Sequence, residues 1–281
     1  MTARAPAAGG SSDVSTPYYV TPVPEPTRIL VPAYQYPTLP DDMWGKLATA
    51  ASSYPQLRIT AIMNPNNGMF NEKNTDYENA VRNLIRNGGH AIGYISTRFK
   101  DQDDVWKLRT LDAILADVNA YQTHYQPFIE GYFVDQLAAV PLSLFQSIAD
   151  HIKSIGLPIY ANPGVIRDAA FGSISDVVVA MEDYAARFGS YDPLANGAGV
   201  WLYTRTNTAN AMILHDTPSC ATMQSIVATS RTPRYNIGVI YVTDDLQTTM
   251  GGPYDVLPTF WNSLLATVFA VNSGASLPSC N

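Results

Sequence analysis

The chain has little charge and few basic residues. Of its 281 residues, 15% are charged and 46% are hydrophobic, and 17 Lys plus Arg against 24 Asp plus Glu leave a formal net charge of −7. Such a hydrophobic content can form a sizeable core and excludes a chain that is disordered throughout. The shortage of basic residues argues against a nucleic-acid-binding protein, which needs a basic face.

Long apolar runs and cysteines are also scarce. No run approaches the roughly 20 residues that cross a bilayer, and residues 1–20 lack the apolar segment of a secretory signal. The chain is therefore either intracellular or a form without its targeting segment. The two cysteines, Cys220 and Cys280, are either independent thiols or a bridge that holds the C-terminal tail, and a bridge requires an oxidising compartment.

Several common catalytic motifs are missing. The four histidines lack the paired spacing of metal sites, there is no G-x-S-x-G elbow, and there is no G-x-x-x-x-G-K-[ST] phosphate loop. We therefore expect neither a metal nor a cofactor. The four histidines are His90, His124, His151 and His215.

Two regions of different composition are present. Residues 1–27 are rich in Ala, Gly, Ser, Thr and Pro, which indicates a linker or stalk. Residues 28–281 alternate short apolar runs with amphipathic helical segments, striped at 81–85, 108–118, 144–155 and 261–268, and are expected to form one domain. The predicted strands are 28–34, 58–63, 91–95, 131–134, 157–161, 176–181, 211–215 and 237–242.

Eight strands in about 250 residues are typical of a (β/α)8 TIM barrel. The alternative is a doubly wound open sheet, which usually has a Gly-rich turn after its first strand, where this chain has YQYPTLP. A ninth candidate strand, 199–203, is assigned to the connection between the sixth and seventh strands.

The ends of the predicted strands carry polar side chains. Functional groups of such barrels lie at the C-terminal ends of the strands. Asp135 ends the fourth strand and Glu182 the sixth, each after a strongly apolar run. A single acid at such a position is more often a loop or capping residue, but paired carboxylates are the usual groups for cleaving a glycosidic bond.

An ordered set of segments resembles the spherulin-4-like proteins, which include the fungal enzymes of glycoside hydrolase family 135. The segments are VPAYQYP (31–37), MNPNNG (63–68), GYIST (93–97), GYFVDQ (131–136), ANPG (161–164), DVVVAMED (176–183) and YVTDD (241–245). The resemblance extends from about residue 28 to about residue 265 and implies a (β/α)8 barrel. It implies a secreted or cell-surface enzyme that cleaves α-1,4-linked N-acetylgalactosamine within galactosaminogalactan, a biofilm and cell-wall polysaccharide, with retention of configuration.

The resemblance also implies the catalytic positions. The family typically has Asp-Glu after the fourth strand and Glu after the sixth, which correspond to Asp135, Gln136 and Glu182. Gln136 departs from the pattern, because glutamine cannot ionise. The chain is then a disabled variant, a natural sequence that tolerates the change, or a pseudo-enzyme. By analogy with other barrels, Asp135 is the expected nucleophile and Glu182 the expected acid/base.

Aromatic and amide side chains near the strand ends are candidates for substrate binding, although packing is an equally good explanation for each tyrosine. They are Tyr34, Asn64, Tyr94, Asn162, His215 and Tyr241, with Trp201 and Tyr203 as a possible wall of the groove. The expected partner is an amino-sugar polysaccharide bound by a monomer. The main alternative is a polysaccharide-binding or structural protein without catalysis; an aldolase or isomerase is disfavoured because no strand end offers a catalytic Lys or a phosphate site.

Overall fold

The computed structural model describes residues 23–38, 42–195, 199–248 and 252–280. Eight parallel strands close into a barrel, with each strand hydrogen-bonded to two neighbours. The barrel strands, in their order around the barrel, are β1 (Arg28–Ala33), β2 (Ile59–Met63), β3 (His90–Ser96), β6 (Tyr132–Asp135), β7 (Ile159–Ala161), β8 (Val177–Tyr184), β9 (Asn210–His215) and β10 (Val239–Val242). The predicted (β/α)8 barrel and its eight strands are confirmed.

Seven α-helices accompany the strands among the described residues. They are α1 (Met43–Ser53), α2 (Thr75–Arg86), α3 (Leu111–Tyr125), α4 (Leu142–Ser154), α5 (Ala169–Ile174), α6 (Cys220–Ser230) and α7 (Trp261–Ser273). Side chains of Asn74, Thr110 and Ser219 cap three of them by accepting backbone N–H bonds. The core is continuous, because the strands are covered by helices on the outside and fill the barrel inside.

A two-stranded hairpin extends the end of β3. It consists of β4 (Arg98–Lys100) and β5 (Trp106–Leu108), paired antiparallel. Sequence periodicity assigned Leu108 to the following helix, but that helix begins at Leu111. The short polar turn between the two strands gave no strong signal, so the hairpin was not predicted.

The connection between β8 and β9 contains no α-helix in its described part. It is built from 3-10 turns, among them Ala185–Ser190 and Val200–Thr204. The segment 199–203 is therefore a connection, as predicted, and not a strand. The Asn210 side chain at the start of β9 donates a hydrogen bond to the carbonyl oxygen of Leu202 at 3.0 Å. The second of these turns consequently lies at the N-terminal ends of the strands.

Both ends of the described chain are attached to the barrel. Of the predicted linker, residues 23–27 are described, and Glu25 and Thr27 are hydrogen-bonded to Asn207 and Asn272. Cys220 and Cys280 form a disulfide across 60 residues, which settles the alternative that the sequence left open. Within the described residues, no helix is long and apolar enough to cross a membrane.

Removing the disulfide is expected to lower stability. The bridge closes a loop of 60 residues, and a loop of this size contributes about 2–4 kcal/mol by limiting the unfolded chain. A Cys220→Ala/Cys280→Ala double variant should show this loss in urea unfolding. Reduced wild-type protein is the matched control and should show the same loss. If both have the same urea unfolding midpoint as oxidised wild type, the prediction is wrong.

Candidate active site

Two carboxylates face each other across the mouth of the barrel. Asp135 is the last residue of β6, Glu182 lies near the end of β8, and β7 runs between these strands. Because parallel strands of a barrel end at the same rim, inward-pointing residues at their ends converge. The structure brings these two predicted residues together.

The amide of Asn162, directly after β7, joins the two acids. Its Nδ2 donates to Oδ1 of Asp135 at 2.7 Å and to Oε2 of Glu182 at 2.6 Å. Those two oxygens are therefore at most 5.3 Å apart, the sum of the two distances. The backbone N–H of Gly164 donates to Oδ1 of Asn162 at 3.0 Å, which orients the amide so that its NH2 group faces the acids.

Two tyrosines bind the remaining carboxylate oxygens. The hydroxyl of Tyr94 donates to Oδ2 of Asp135 at 2.5 Å, and that of Tyr254 donates to Oε1 of Glu182 at 2.6 Å. The ring of Tyr34 lies between them, with centroids 5.6 Å from Tyr94 and 5.8 Å from Tyr254, edge to face in both contacts. The acids are thus held in fixed positions by donors on both sides.

The electrostatics of the site keep a proton on the acid pair. Burial and, second, the nearby charge of Glu182 together raise the pKa of Asp135 to about 7, against hydrogen bonds from the Tyr94 hydroxyl, the Gln136 backbone and the Asn162 amide, which lower it. Burial and the adjacent carboxylates also raise the pKa values of Tyr94 and Tyr254, so both hydroxyls remain donors. At neutral pH the pair can therefore supply one ionised and one protonated carboxyl group.

Gln136 lies beside the pair but its side chain bonds elsewhere. Its backbone is left-handed, with φ of 63°. Its amide oxygen is 3.0 Å from Oγ of the buried Ser96, and that hydroxyl also lies 2.6 Å from the carbonyl oxygen of Arg98 at the base of the hairpin. The Ser96 hydroxyl carries one proton, so it donates to only one of these two oxygens at a time. The Gln136 side chain therefore lies against the end of β3, at the base of the hairpin.

Two further predicted residues lie near the rim. Asn64 follows β2, and its buried Oδ1 has no hydrogen-bond partner. His215 ends β9; its Nδ1 lies 2.5 Å from Oδ2 of Asp216, and its ring packs against that of Tyr184 with centroids 4.6 Å apart. An unpaired acceptor and an imidazole at this rim are suited to binding hydroxyl or amide groups.

Three predicted binding residues are wrongly placed for contact with a sugar. Tyr241 is 0% exposed inside the barrel and has no free ring face. Trp201 and Tyr203 lie in the 3-10 turn outside the barrel, where the Trp201 ring packs on Gly172 of α5 and its indole N–H donates to the carbonyl oxygen of Arg167, while Tyr203 donates to that of Arg234, just before β10. The long connection crosses the outside of the barrel, so these two side chains pack there and form no wall of the mouth.

Sequence reasoning missed Tyr254. This residue lies between β10 and α7, 72 positions from Glu182, in a segment without strand or helix periodicity. Its sequence neighbours Gly252 and Pro253 gave no functional signal. Within the described residues, no group of three or more His, Cys, Asp or Glu side chains is arranged to hold a metal ion.

Comparison with known proteins supports the architecture. Spherulin4, the spherulation-specific family 4, matches residues 28–268. Among solved structures, Sph3 of Aspergillus clavatus in complex with GalNAc has a TM-score of 0.67 and 19% identity, over 87% of this chain and 98% of that chain. An α-amylase from Geobacillus thermoleovorans, complexed with acarbose, has a TM-score of 0.55 and 13% identity, over 88% of this chain and 78% of that chain. No curated protein matches the chain.

Proposed function

Because the chain belongs to the Spherulin4 family, we propose that it is a retaining, endo-acting glycoside hydrolase. Its proposed substrate is α-1,4-linked N-acetylgalactosamine in a galactosaminogalactan-type polysaccharide. One observation carries the proposal: Asn162 holds Asp135 and Glu182 with facing oxygens at most 5.3 Å apart. Retaining glycosidases have carboxyl groups about 5–5.5 Å apart, whereas inverting ones need about 6.5–9.5 Å to admit a water molecule.

In the proposed reaction, an oxygen of Asp135 forms a bond to the anomeric carbon while the glycosidic C–O bond breaks. The proton of Glu182 passes to the departing oxygen, which leaves as a hydroxyl. Water then gives a proton to Glu182 and its hydroxyl group to the anomeric carbon, and Asp135 leaves as a carboxylate. The hydrogen bonds from Tyr94 and Tyr254 support these roles, because they hold both carboxyl groups in place at the barrel mouth.

The substrate assignment rests on family membership and on the solved neighbour. Sph3 was crystallised with GalNAc, and the rim of this chain offers amides and tyrosines that suit hydroxyl and acetamido groups. The Cys220–Cys280 disulfide supports a secreted or cell-surface location, where such bonds persist.

A second candidate function is polysaccharide binding without catalysis. Gln136 favours it, because the side chain is bonded to Ser96 and cannot take part in proton transfer. In that case the barrel mouth would bind the sugar without cleaving it.

The comparison of wild type with Gln136→Glu separates the two functions. We expect the variant to release oligosaccharides from galactosaminogalactan about 10- to 100-fold faster, since an ionisable group is then available beside the acid pair. Reducing-end release over time is the measurement, and Gln146→Glu on the exposed face of α4 is the control for added charge. Release by neither form, together with retained binding, would support the non-catalytic protein.

A further inference from the structure

A second concave surface lies beside the ends of β1 and β2. This groove has a volume of about 660 Å³, and its lining includes Tyr36, Pro65, Asn66, Phe70, Glu72 and Asn74. Tyr36 is two residues beyond Tyr34, and Pro65 directly follows Asn64, whose carbonyl oxygen accepts from the hydroxyl of Tyr77 in the groove lining at 3.4 Å, so the groove borders the candidate active site. A chain of sugars that leaves the acid pair over β1 and β2 would enter it.

Tyr36 is an exposed ring that is already held in place. Its side chain is 36% exposed, yet its hydroxyl donates to Oδ2 of Asp76 at 2.7 Å and accepts from Nδ2 of Asn74 at 3.0 Å. Its ring also packs edge to face against Tyr77, with centroids 5.4 Å apart. A ring fixed before a ligand arrives loses little conformational entropy on binding, so it makes an efficient stacking surface.

The groove is also lined by a left-handed turn that contacts the active site. Asn66 and Asn67 have φ of 48° and 56°, and Gly68 has φ of 80°. A Cβ at Gly68 would lie 2.4 Å from the carbonyl oxygen of Tyr94, whose hydroxyl binds Asp135. Asn and Gly are the residues that adopt such a backbone most readily. The turn places the exposed Asn66 at the groove, with its Nδ2 donating to the carbonyl oxygen of Met69 at 2.6 Å and its Oδ1 as the acceptor that a ligand would meet.

The chemistry of the groove selects its occupant. It combines aromatic faces, amides and a carboxylate, and none of its described lining residues is Lys or Arg. That lining disfavours phosphates and other anions. Sugars have apolar C–H faces that stack on aromatic rings and hydroxyls that bind amides, and they match both parts of the lining.

We propose that this groove binds further sugar residues of the polysaccharide, beyond the linkage that is cleaved. The inference rests on the proposed function for the identity of the sugar. It makes Tyr36 a binding residue that favours long chains over short ones, as an enzyme that acts within a polymer needs.

The test measures binding in a Glu182→Gln background, so that hydrolysis does not interfere. The probes are galactosaminogalactan and an α-1,4-linked N-acetylgalactosamine disaccharide, both titrated by calorimetry. Tyr36→Ala is expected to weaken polymer binding about 10-fold, a typical effect of removing an anchoring aromatic side chain, and to leave disaccharide binding unchanged. Phe269→Ala, which removes a ring that is 37% exposed on α7, is the matched control.

Each outcome bears on the inference. Unchanged polymer binding by Tyr36→Ala overturns it, as does an equal loss for polymer and disaccharide. A change in sedimentation mass with unchanged sugar binding would assign the groove to a second copy. Tyr36→Leu, which keeps apolar packing on Tyr77 without a flat ring, replaces Tyr36→Ala if the latter does not fold. Polymer binding that depends on Tyr36, without hydrolysis by wild type or Gln136→Glu, would sustain the groove and reject the hydrolase.

Discussion

Asp135→Asn is expected to abolish hydrolysis and to stabilise the protein. The rate should fall about 10³- to 10⁴-fold, since asparagine cannot serve as the nucleophile. The fold should survive, because an asparagine side chain can still accept from Asn162 and bond to the hydroxyl of Tyr94, the two partners of the Asp135 carboxylate. Hydrolysis should be measured in the more active of the wild-type and Gln136→Glu backgrounds.

The stabilisation follows from the sign of the pKa shift. The folded protein raises the pKa of Asp135 to about 7, while an unfolded Asp has a pKa of about 3.9. Below about pH 4 both states hold the proton, and there is no penalty. As pH rises from about 4 to 7, only the unfolded state has released it, so this group lowers stability progressively, and the penalty is complete above about pH 7.

Asparagine has no such proton, so the variant should lack this pH-dependent loss. At pH 8 we expect the free energy of unfolding of Asp135→Asn to exceed that of wild type by about 1–3 kcal/mol. This gain is smaller than the full pKa shift of Asp135 implies, because solvent at the barrel mouth screens the charge. The gain should disappear near pH 4. Urea unfolding at the two pH values measures it. Asp183→Asn is the control, because that carboxylate on the same rim pairs with Arg187 at 3.1 Å. Retained hydrolysis, or a variant less stable than wild type at pH 8, would contradict the assignment.

The sequence predicted the barrel well because buried parallel strands leave a local signal. Each strand is an apolar run, and the residue at its C-terminal end lies at the rim of the barrel. Asp135, Asn162 and Glu182 could be predicted as site residues for this reason. Contacts made by loops leave no such signal. Tyr254 reaches Glu182 from a segment that has no periodicity, and its position depends on how the chain folds around β10.

The wrong assignments have a related cause. Tyr241 belongs to a strand, but its sequence does not say how deep in the barrel its ring lies, and it is fully buried. The length of the connection before β9 predicts Tyr203 at the mouth, yet that connection returns to the opposite end of the barrel, where Tyr203 bonds to Arg234. The local pattern identifies elements, whereas the depth of a side chain and the path of a loop depend on tertiary packing.

The separate roles of the two acids can be distinguished by the products formed with azide. With an activated leaving group, Glu182→Ala should still form the glycosyl-enzyme bond at Asp135, because no proton is then needed for departure. Azide should release the sugar from that intermediate as an α-glycosyl azide and raise turnover about 10- to 100-fold over the variant without azide.

Asp135→Ala should give the opposite anomer. In this variant azide occupies the space of the missing carboxylate and attacks the substrate directly, while Glu182 still donates its proton, so the product is a β-glycosyl azide. Proton NMR of the anomeric coupling distinguishes the two products, and Asp183→Ala with azide is the control that should form neither. Exchanged anomers would reverse the roles of Asp135 and Glu182. If azide changes the turnover of neither variant, the covalent mechanism is wrong, even though Asn162 holds the two acids of wild type with facing oxygens at most 5.3 Å apart.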